Sequence, residues 1–259
     1  MDERMLRYTA ARTGLGMNYV DKEERLSQIL SQMWGIFGED LILKGGSAIN
    51  RVYIAKVGAA RFSEDIDVDY FGGGVERSAR RIKEGMGRIR EFSVKGPRVL
   101  HRTFRFDCYY RNMLGVRDRV KVEFYLSEPP YVEARVELVK SPFVDAYPTM
   151  FKVYSLEDLI ARKMVALLRR SEGKDIYDLF HALNMEFDRE RLLKAVEMTA
   201  GFYHVEGDLF VGLISKLREV KGSARGIGNS TNHFIPRSLH PNWQEIIDTL
   251  IVMIENQFL

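Results

Sequence analysis

The sequence predicts an α/β fold of the α+β type, with an α/β domain over residues 1–153 and a helical domain over residues 154–259. Strand-like runs and helical periodicity are interspersed in the first domain, whereas the second shows helical periodicity alone. Of the 259 residues, 46% are hydrophobic and 29% are charged, which excludes a disordered or fibrous chain. A chain of this length buries a core that needs no disulfide.

The first predicted elements are a helix, a short strand and a glycine turn. Apolar residues at helical spacing predict a helix over residues 21–37. The aliphatic run at residues 41–43 predicts a buried strand, and Lys-Gly-Gly-Ser at residues 44–47 ends it with a turn. We expect Ser47 to be the N-cap of a helix over residues 48–58.

The rest of the first domain is predicted to contain further strands and one helix. Residues 65–70, Asp-Ile-Asp-Val-Asp-Tyr, alternate between acidic and apolar side chains, which predicts a strand with a carboxylate face. Residues 75–92 predict a basic amphipathic helix, and strands are expected over residues 103–110 and 120–126. Prolines divide residues 128–152 into loops and strands.

The second domain is predicted to be made of helices. A capping box at Ser155 opens a helix that ends near residue 170, and a second helix covers residues 174–183. Further helix is expected up to residue 219. Residues 222–232 are rich in Gly, Ser and Asn, which predicts a loop, and a last helix covers residues 241–257.

The charge balance and the cysteine content exclude several classes of protein. The chain has 39 basic and 36 acidic residues, so its net charge of +3 permits a polyanionic partner without requiring one. The single cysteine, Cys108, excludes an intrachain disulfide and a cysteine-based zinc site, and it favours a reducing cytoplasm. The five histidines lack metal-ligand spacing. We expect no membrane span and no signal peptide.

Asp65 and Asp67 are the most informative pair of residues in the sequence. Side chains at positions i and i+2 of a strand point the same way, and two carboxylates that close repel each other unless a cation lies between them. Mg²⁺ prefers oxygen ligands and leaves positions open for phosphates. Two solvated acids on an edge strand would explain the spacing equally well.

The Gly-Gly-Ser turn favours the cation site. A junction from a strand through such a turn into a helix directs backbone amides at one point, where an anion binds. An anion site followed within one helix by an acid pair supplies both halves of a nucleoside triphosphate site. The turn lacks the Gly-Lys-Ser/Thr pattern of a Walker P-loop.

Four motifs in order resemble those of the AbiEii-type nucleotidyltransferases, which are the toxin halves of type IV toxin–antitoxin pairs and are related to the MenT toxins. Residues 44–47 and 61–67, the latter Arg-Phe-Ser-Glu-Asp-Ile-Asp, resemble the first motif of the family. Leu-Ile-Ala-Arg-Lys at residues 159–163 resembles its aliphatic-x-Ala-x-Lys motif. Arg170, followed by Lys-Asp-Ile-Tyr-Asp-Leu at residues 174–179, resembles its Asp-x-x-Asp motif. The basic second motif has no counterpart, and residues 47–65 form a longer spacer than in many relatives.

The resemblance implies a DNA polymerase β-like nucleotidyltransferase core with a mixed sheet, followed by a helical domain. It implies that Asp65 and Asp67 hold Mg²⁺ or Mn²⁺. Glu123 lies on the polar face of its predicted strand, so it would either join the metal ligands or pair with an arginine of a neighbouring strand.

The resemblance also implies roles for residues outside the acid pair. The nucleotide-binding residues would be Gly45, Gly46, Ser47, Arg61, Ser63 and Lys163, with Arg61 and Ser63 alternatively fixing the start of the strand. Lys163 would contact the phosphates, and Asp175 would orient this lysine or activate the acceptor. Asp178 is interpreted as structural.

The function implied is transfer of a nucleoside monophosphate from a nucleoside triphosphate to RNA, such as a tRNA 3′ end, or to a protein. A separate antitoxin encoded nearby is also implied. The alternatives are a non-catalytic module that binds nucleotide, RNA or a partner, and a phosphotransferase that moves the γ-phosphoryl group. A run of arginines forms either a solvated surface or a track for an RNA backbone. These arginines are at positions 77, 80, 81, 88, 90, 98, 102 and 105.

Overall fold

The structure is a computed structural model that describes residues 1–259, and its centre is a mixed sheet of seven strands. The strands are β1 (Leu41–Lys44), β2 (Asp65–Tyr70), β3 (Ser93–Leu100), β4 (Thr103–Arg111), β5 (Arg117–Tyr125), β6 (Ala134–Val139) and β7 (Thr149–Tyr154). Their order across the sheet is β3-β4-β5-β2-β1-β7-β6. The β2–β5 and β1–β7 pairs are parallel, and the other pairs are antiparallel. The mixed sheet inferred from the sequence is confirmed.

Ten α-helices surround the sheet. They are α1 (Glu3–Thr13), α2 (Met17–Phe37), α3 (Gly45–Ala48), α4 (Val75–Met86), α5 (Leu156–Arg169), α6 (Gly173–Leu183), α7 (Arg189–Phe202), α8 (Leu209–Lys221), α9 (Ala224–Thr231) and α10 (Trp243–Phe258). Helix α3 continues as a π-helical stretch (Ile49–Tyr53) and a 3-10 turn (Ile54–Val57). No helix combines the length with the apolar content that a bilayer crossing requires.

Helix α2 packs on the apolar face of the sheet. The ring of Phe37 meets the rings of Tyr70 on β2 and Phe124 on β5, and Trp34 meets Phe151 on β7. The alternation in residues 65–70 places Ile66 and Val68 on this buried face, as predicted.

The helices from α5 onward share the core of the sheet. A single apolar cluster of 67 buried residues extends from Leu6 in α1 to Ile254 in α10. Helix α5 begins where the sequence predicts, because the Ser155 side chain caps the Asp158 amide. The predicted division after residue 153 therefore falls within β7, one residue before its end, and both β7 and α5 contribute to the same core.

Several predicted boundaries differ from the structure. Helix α1 and strand β3 were not predicted, and the helix predicted over residues 75–92 ends at Met86. The loop predicted over residues 222–232 is wrong, because it contains helix α9. A β-carbon at Gly228 would lie 2.9 Å from Trp243 Cδ1, so close packing on α10 outweighs the low helix propensity of glycine and serine.

The prediction that Ser47 caps a helix is also wrong. The helical conformation begins at Gly45, directly after β1, and Lys44 occupies the N-cap position. The Ser47 hydroxyl donates a 2.5 Å hydrogen bond to the Asp65 carbonyl oxygen, so it links α3 to the start of β2. The helical segment does end before Gly58, as predicted, and this glycine has φ +72°.

The contact between α4 and α2 predicts opposite effects for two glycines. A β-carbon at Gly85 would lie 2.3 Å from Phe37 Cζ, and the Phe37 ring is already held by its neighbours, so Gly85→Ala is expected to destabilise the protein by about 1–3 kcal/mol. Gly35→Ala, in α2, meets no atom within 4 Å and is expected to stabilise it by about 0.5–1 kcal/mol. Urea unfolding of both variants measures this. Equal effects would contradict the packing described.

Candidate active site

The glycine turn and the acidic strand meet across the β1–β2 pair. Lys44 lies opposite Asp67 in the ladder, and Gly45 follows with φ +68°. A β-carbon at Gly45 would lie 2.7 Å from Asp67 Oδ2. Both the backbone conformation and the close approach of this carboxylate therefore favour glycine at position 45.

The second glycine lies against the residues that lead into β2. A β-carbon at Gly46 would lie 2.9 Å from Ser63 Oγ and 3.0 Å from Arg61 Nη2. The Arg61 side chain is only 2% exposed, and its Nη1 also donates to the Phe62 carbonyl oxygen at 2.9 Å. The contacts of Arg61 therefore fix the start of the strand.

Asp65 and Asp67 lie on the same face of β2, as the sequence predicts. Asp65 Oδ1 is buried and accepts no hydrogen bond, although Lys121 Nζ is 3.3 Å away. Burial raises the pKa of Asp67 to about 6, helped by the charges of Asp65 and Glu123 and opposed by Lys44 and Lys163. Lys121 is thus the one ion-pair partner of the two acids, and their hard oxygen donors fit a divalent cation.

Glu123 is placed between two strands. It lies opposite Asp67 of β2 in one ladder and opposite Arg105 of β4 in the other. No three or more His, Cys, Asp or Glu side chains form a cluster that could hold a metal ion. The donors present are thus the pair Asp65 and Asp67, with Glu123 on the adjacent strand.

The third aspartate of β2 has a different environment from the first two. Asp69 is fully buried and accepts hydrogen bonds from Lys44 Nζ at 2.5 Å and from the Tyr154 hydroxyl at 2.6 Å. The Arg162 guanidinium lies 3.9 Å from Asp69 Oδ2, the oxygen that Tyr154 also contacts, and it stacks over the Tyr154 ring. Asp69 is therefore not available to a ligand, and it holds two basic side chains in place.

Lys163 of α5 is held between two buried carboxylates of α6. Its Nζ lies 2.7 Å from Asp175 Oδ1 and 2.8 Å from Asp178 Oδ2. Burial alone would lower the pKa of Lys163, but the two aspartates raise it above its ordinary value. Burial would raise the pKa of Asp175, yet Lys163 and Arg170 bring it down to about 2. Both groups therefore stay charged at neutral pH.

Asp178 connects the helical part of the chain to the glycine turn. Its oxygens accept hydrogen bonds from Arg61 Nε at 2.8 Å and from Asn50 Nδ2 at 3.0 Å, besides the contact with Lys163. The Asn50 side chain also donates to the Gly46 carbonyl oxygen and accepts from the Arg61 amide. These contacts are all with the protein itself, and the structural role of Asp178 stays a prediction.

A cleft of about 350 Å³ lies between the sheet and α5. Its walls carry one acid and five bases, so it fits a polyanionic ligand that carries a counter-ion. The lining residues are Lys44, Gly45, Asp67, Leu159, Arg162, Lys163, Val165, Ala166, Arg169, Arg170 and Tyr203.

A family model described as "Nucleotidyl transferase AbiEii toxin, Type IV TA system" matches residues 28–256. The chain belongs to this family. Two solved structures are similar to this AbiEii-family protein. MenT4, a nucleotidyltransferase toxin from Mycobacterium tuberculosis H37Rv, aligns with a TM-score of 0.66 and 16% identity over 97% of this chain and 89% of that one. A protein from H. pylori that is assigned to the nucleotidyltransferases aligns with a TM-score of 0.57 and 16% identity over 94% of this chain and 96% of that one. No curated protein matches the sequence.

The structure of this AbiEii-family protein brings the sequence motifs together around one cleft. Of the residues singled out in the sequence, Gly45, Asp67, Lys163 and Arg170 line it. Ser47, Arg61, Asp175 and Asp178 lie behind the lining. They are each at most 3% exposed. Their polar atoms contact the protein itself, so they support the residues in front.

Sequence reasoning missed four basic or aromatic residues of the cleft. Arg162 and Arg169 share a face of α5, and their spacing beside the Lys163 motif could have indicated them. Lys44 stood next to the glycine turn. Tyr203, which follows α7, carried no signal, because only the packing of α7 on α5 brings it to the cleft.

The buried ion pairs predict a large stability loss for Asp178→Asn. The change leaves Arg61 and Lys163 buried with one charge fewer, so the free energy of unfolding is expected to fall by about 3–5 kcal/mol. Asp248→Asn is the matched control, because the pair with Lys221 is exposed and contributes about 0–1 kcal/mol. Chemical denaturation of both variants measures the difference. A loss as small as that of the control would contradict a structural role for Asp178.

The raised pKa of Asp67 predicts that Asp67→Asn stabilises the metal-free protein at neutral pH. An acid whose folded pKa is about 6 and whose ordinary pKa is 3.8 makes the folded state lose stability as the pH rises between these values. The variant is therefore expected to be more stable than the wild type above pH about 6, by at most about 3 kcal/mol, and equal to it near pH 4. Thermal melts with EDTA at both pH values measure this. A lower Tm for the variant at neutral pH would contradict it.

Proposed function

We propose that this protein transfers a nucleoside monophosphate from a nucleoside triphosphate to an acceptor hydroxyl on RNA or on a protein, as the toxin of a type IV toxin–antitoxin pair. The observation that carries the proposal is the position of Asp65 and Asp67. Asp67 lines a cleft whose opposite wall is basic, and Asp65, two positions earlier on the same face of β2, has Lys121 as its one ion-pair partner.

The basic wall of the cleft would bind the triphosphate. Lys44 and Arg162 are held towards the cleft by Asp69, whereas Arg169 and Arg170 are more exposed at its rim. Lys163 is a fixed positive charge behind them. Gly45 lines the cleft beside these bases, so the backbone of the turn at Gly45 and Gly46 would contact the phosphates.

Asp65 and Asp67 would hold Mg²⁺ or Mn²⁺, and Glu123 on the adjacent strand would complete the set. A carboxylate oxygen without a hydrogen-bond donor and a neighbour with a raised pKa are the donor chemistry that a hard divalent cation fits. When bound, the cation neutralises phosphate charge and makes the acceptor hydroxyl a better nucleophile.

The chemical step is an in-line displacement at the α-phosphorus. The acceptor oxygen forms a bond to the α-phosphorus, the bond to the bridging oxygen of the β-phosphate breaks, and pyrophosphate leaves. Charge develops on the leaving group, and the fixed positive charges of α5 would stabilise it. Asp175 has a pKa of about 2 and is paired with Lys163 and Arg170. It would therefore orient these bases and would not take the acceptor proton.

The two alternative functions are less well supported. A module that only binds nucleotide has no use for the acid pair, and the ionised form of Asp67 carries a cost in stability. A γ-phosphotransferase would share the binding site and differ in its product. The toxin–antitoxin description of the family supports an antitoxin partner, and we propose that the protein acts in the cytoplasm.

Asp65→Asn and Asp67→Asn are expected to lower nucleotidyl transfer by about a hundred-fold or more, because each removes a carboxylate that would hold the cation. Labelled nucleoside triphosphates incubated with cell RNA and protein, with pyrophosphate release followed in parallel, measure the loss. Asp145→Asn is the control, since this exposed acid lies outside the cleft. Triphosphate binding without pyrophosphate release would indicate a non-catalytic module, and a diphosphate product would indicate a phosphotransferase.

A further inference from the structure

The carboxylate face of β2 continues across three further strands. In the β2–β5 ladder, Asp65 lies opposite Lys121 and Asp67 lies opposite Glu123. In the β5–β4 ladder, Arg119 lies opposite Tyr109. Residues opposite each other in a ladder point to the same side of the sheet, so these side chains form one surface with the acids.

This surface is strongly basic. Seven basic and two acidic side chains of β3, β4 and β5 point to it, and we call the basic ones with Tyr109 the basic sheet face. Its members are Lys95, Arg98, Arg105, Tyr109, Arg111, Arg117, Arg119 and Lys121. The two acids are Asp107 and Glu123. Asp107 is already paired with Arg105 and Arg119, at 3.2 and 3.5 Å.

The side chains of the basic sheet face are accessible where they lie farthest from the cleft. Lys95, Arg111 and Arg117 are exposed, and the Arg119 side chain is 41% exposed. The opposite side of the same strands is the core, with Phe106 fully packed. The alternation along each strand therefore produces an unpartnered polar face directly behind a buried apolar one.

Tyr109 is the centre of a cation cluster on this face. The Arg117 guanidinium lies 4.3 Å from its ring centroid, and Lys95 and Arg119 lie 5.7 and 6.0 Å away. Arg119 also donates to the Tyr109 hydroxyl at 3.3 Å. An aromatic ring among cationic side chains is a pattern that binds single-stranded nucleic acid, since the ring stacks on a base and the cations contact the phosphates.

We propose that the basic sheet face binds the acceptor, as a single-stranded RNA segment whose terminal ribose hydroxyl reaches Asp65 and Asp67. Three strands at about 4.8 Å spacing cover about 15 Å, which is room for two or three nucleotides. The inference rests on the proposed function and commits it to RNA. The hydroxyl oxygen bonds to the α-phosphorus, pyrophosphate leaves, and the hydroxyl proton passes to solvent.

RNA binding by two variants of the basic sheet face, compared with a charge-matched variant elsewhere, tests the proposal. Arg117→Glu and Tyr109→Ala are expected to weaken the binding of a fluorescent single-stranded RNA of about 12 nucleotides by about ten-fold or more, measured by anisotropy. Arg77→Glu, on the exposed side of α4, makes the same charge change elsewhere and is expected to leave RNA affinity unchanged. Arg117→Glu is also expected to reduce the salt dependence of binding, because a phosphate contact is lost.

Enzymatic turnover separates the two proposals. The KM for RNA is expected to rise in Arg117→Glu. The affinity for the triphosphate, measured by calorimetry, is expected to remain that of the wild type, and this binding also shows that the variant is folded. Lys95→Ala, which changes another exposed residue of the basic sheet face, is likewise expected to weaken RNA binding. The inference is overturned if RNA affinity falls only in Arg77→Glu, if the wild type does not bind RNA, or if a protein acceptor is labelled equally by wild type and Arg117→Glu. If RNA binding follows the expectation but no nucleotide is transferred to any acceptor, the proposed function fails and the surface stands.

Discussion

The buried ion-pair network around Asp178 is the interaction on which the rest of the site depends. Asp178 is fully buried and is bound to Arg61 and Lys163, which come from the start of β2 and from α5. Asn50 extends the same contacts to the carbonyl oxygen of Gly46. Charges taken out of water are stable only when every member is paired, so the glycine turn, the strand and the two helices are held in one relative position. The cleft between them has its shape for this reason.

Asp65 and Asp67, in contrast to Asp178, are not fully paired with other groups of the protein. Asp65 keeps a buried oxygen without a donor, and Asp67 has a raised pKa, although basic residues stand a few ångströms away. Asp69, two positions further along the same strand, is fully paired. The strand therefore carries two incompletely paired acids and one fully paired acid within its own length. Retaining incompletely paired charge in a stable framework is typical of a site that is completed by its ligands.

The period of two along the strands serves two purposes in this fold. One side of β4 and β5 packs Phe106 and Phe124 into the core, and the other side is polar up to the carboxylates of β2. Because β5 lies parallel to β2, its polar side chains Lys121 and Glu123 lie beside Asp65 and Asp67. The core and the proposed substrate surface are thus encoded by the same alternation.

The sequence by itself determined the features that depend on local periodicity and backbone conformation. These are the two-faced strand at residues 65–70, the glycine at position 45, the Ser155 cap and the amphipathic helices. It also indicated, through four ordered motifs, that residues far apart in the chain act together. Only the tertiary structure decided the partners. Ser47 bonds to the Asp65 carbonyl oxygen, and Asp69 supports Lys44. Residues 224–231 form a helix packed against Trp243, and Tyr203 reaches the cleft. Spacing along a chain determines which way a side chain points, whereas its partner depends on packing between elements that are distant in sequence.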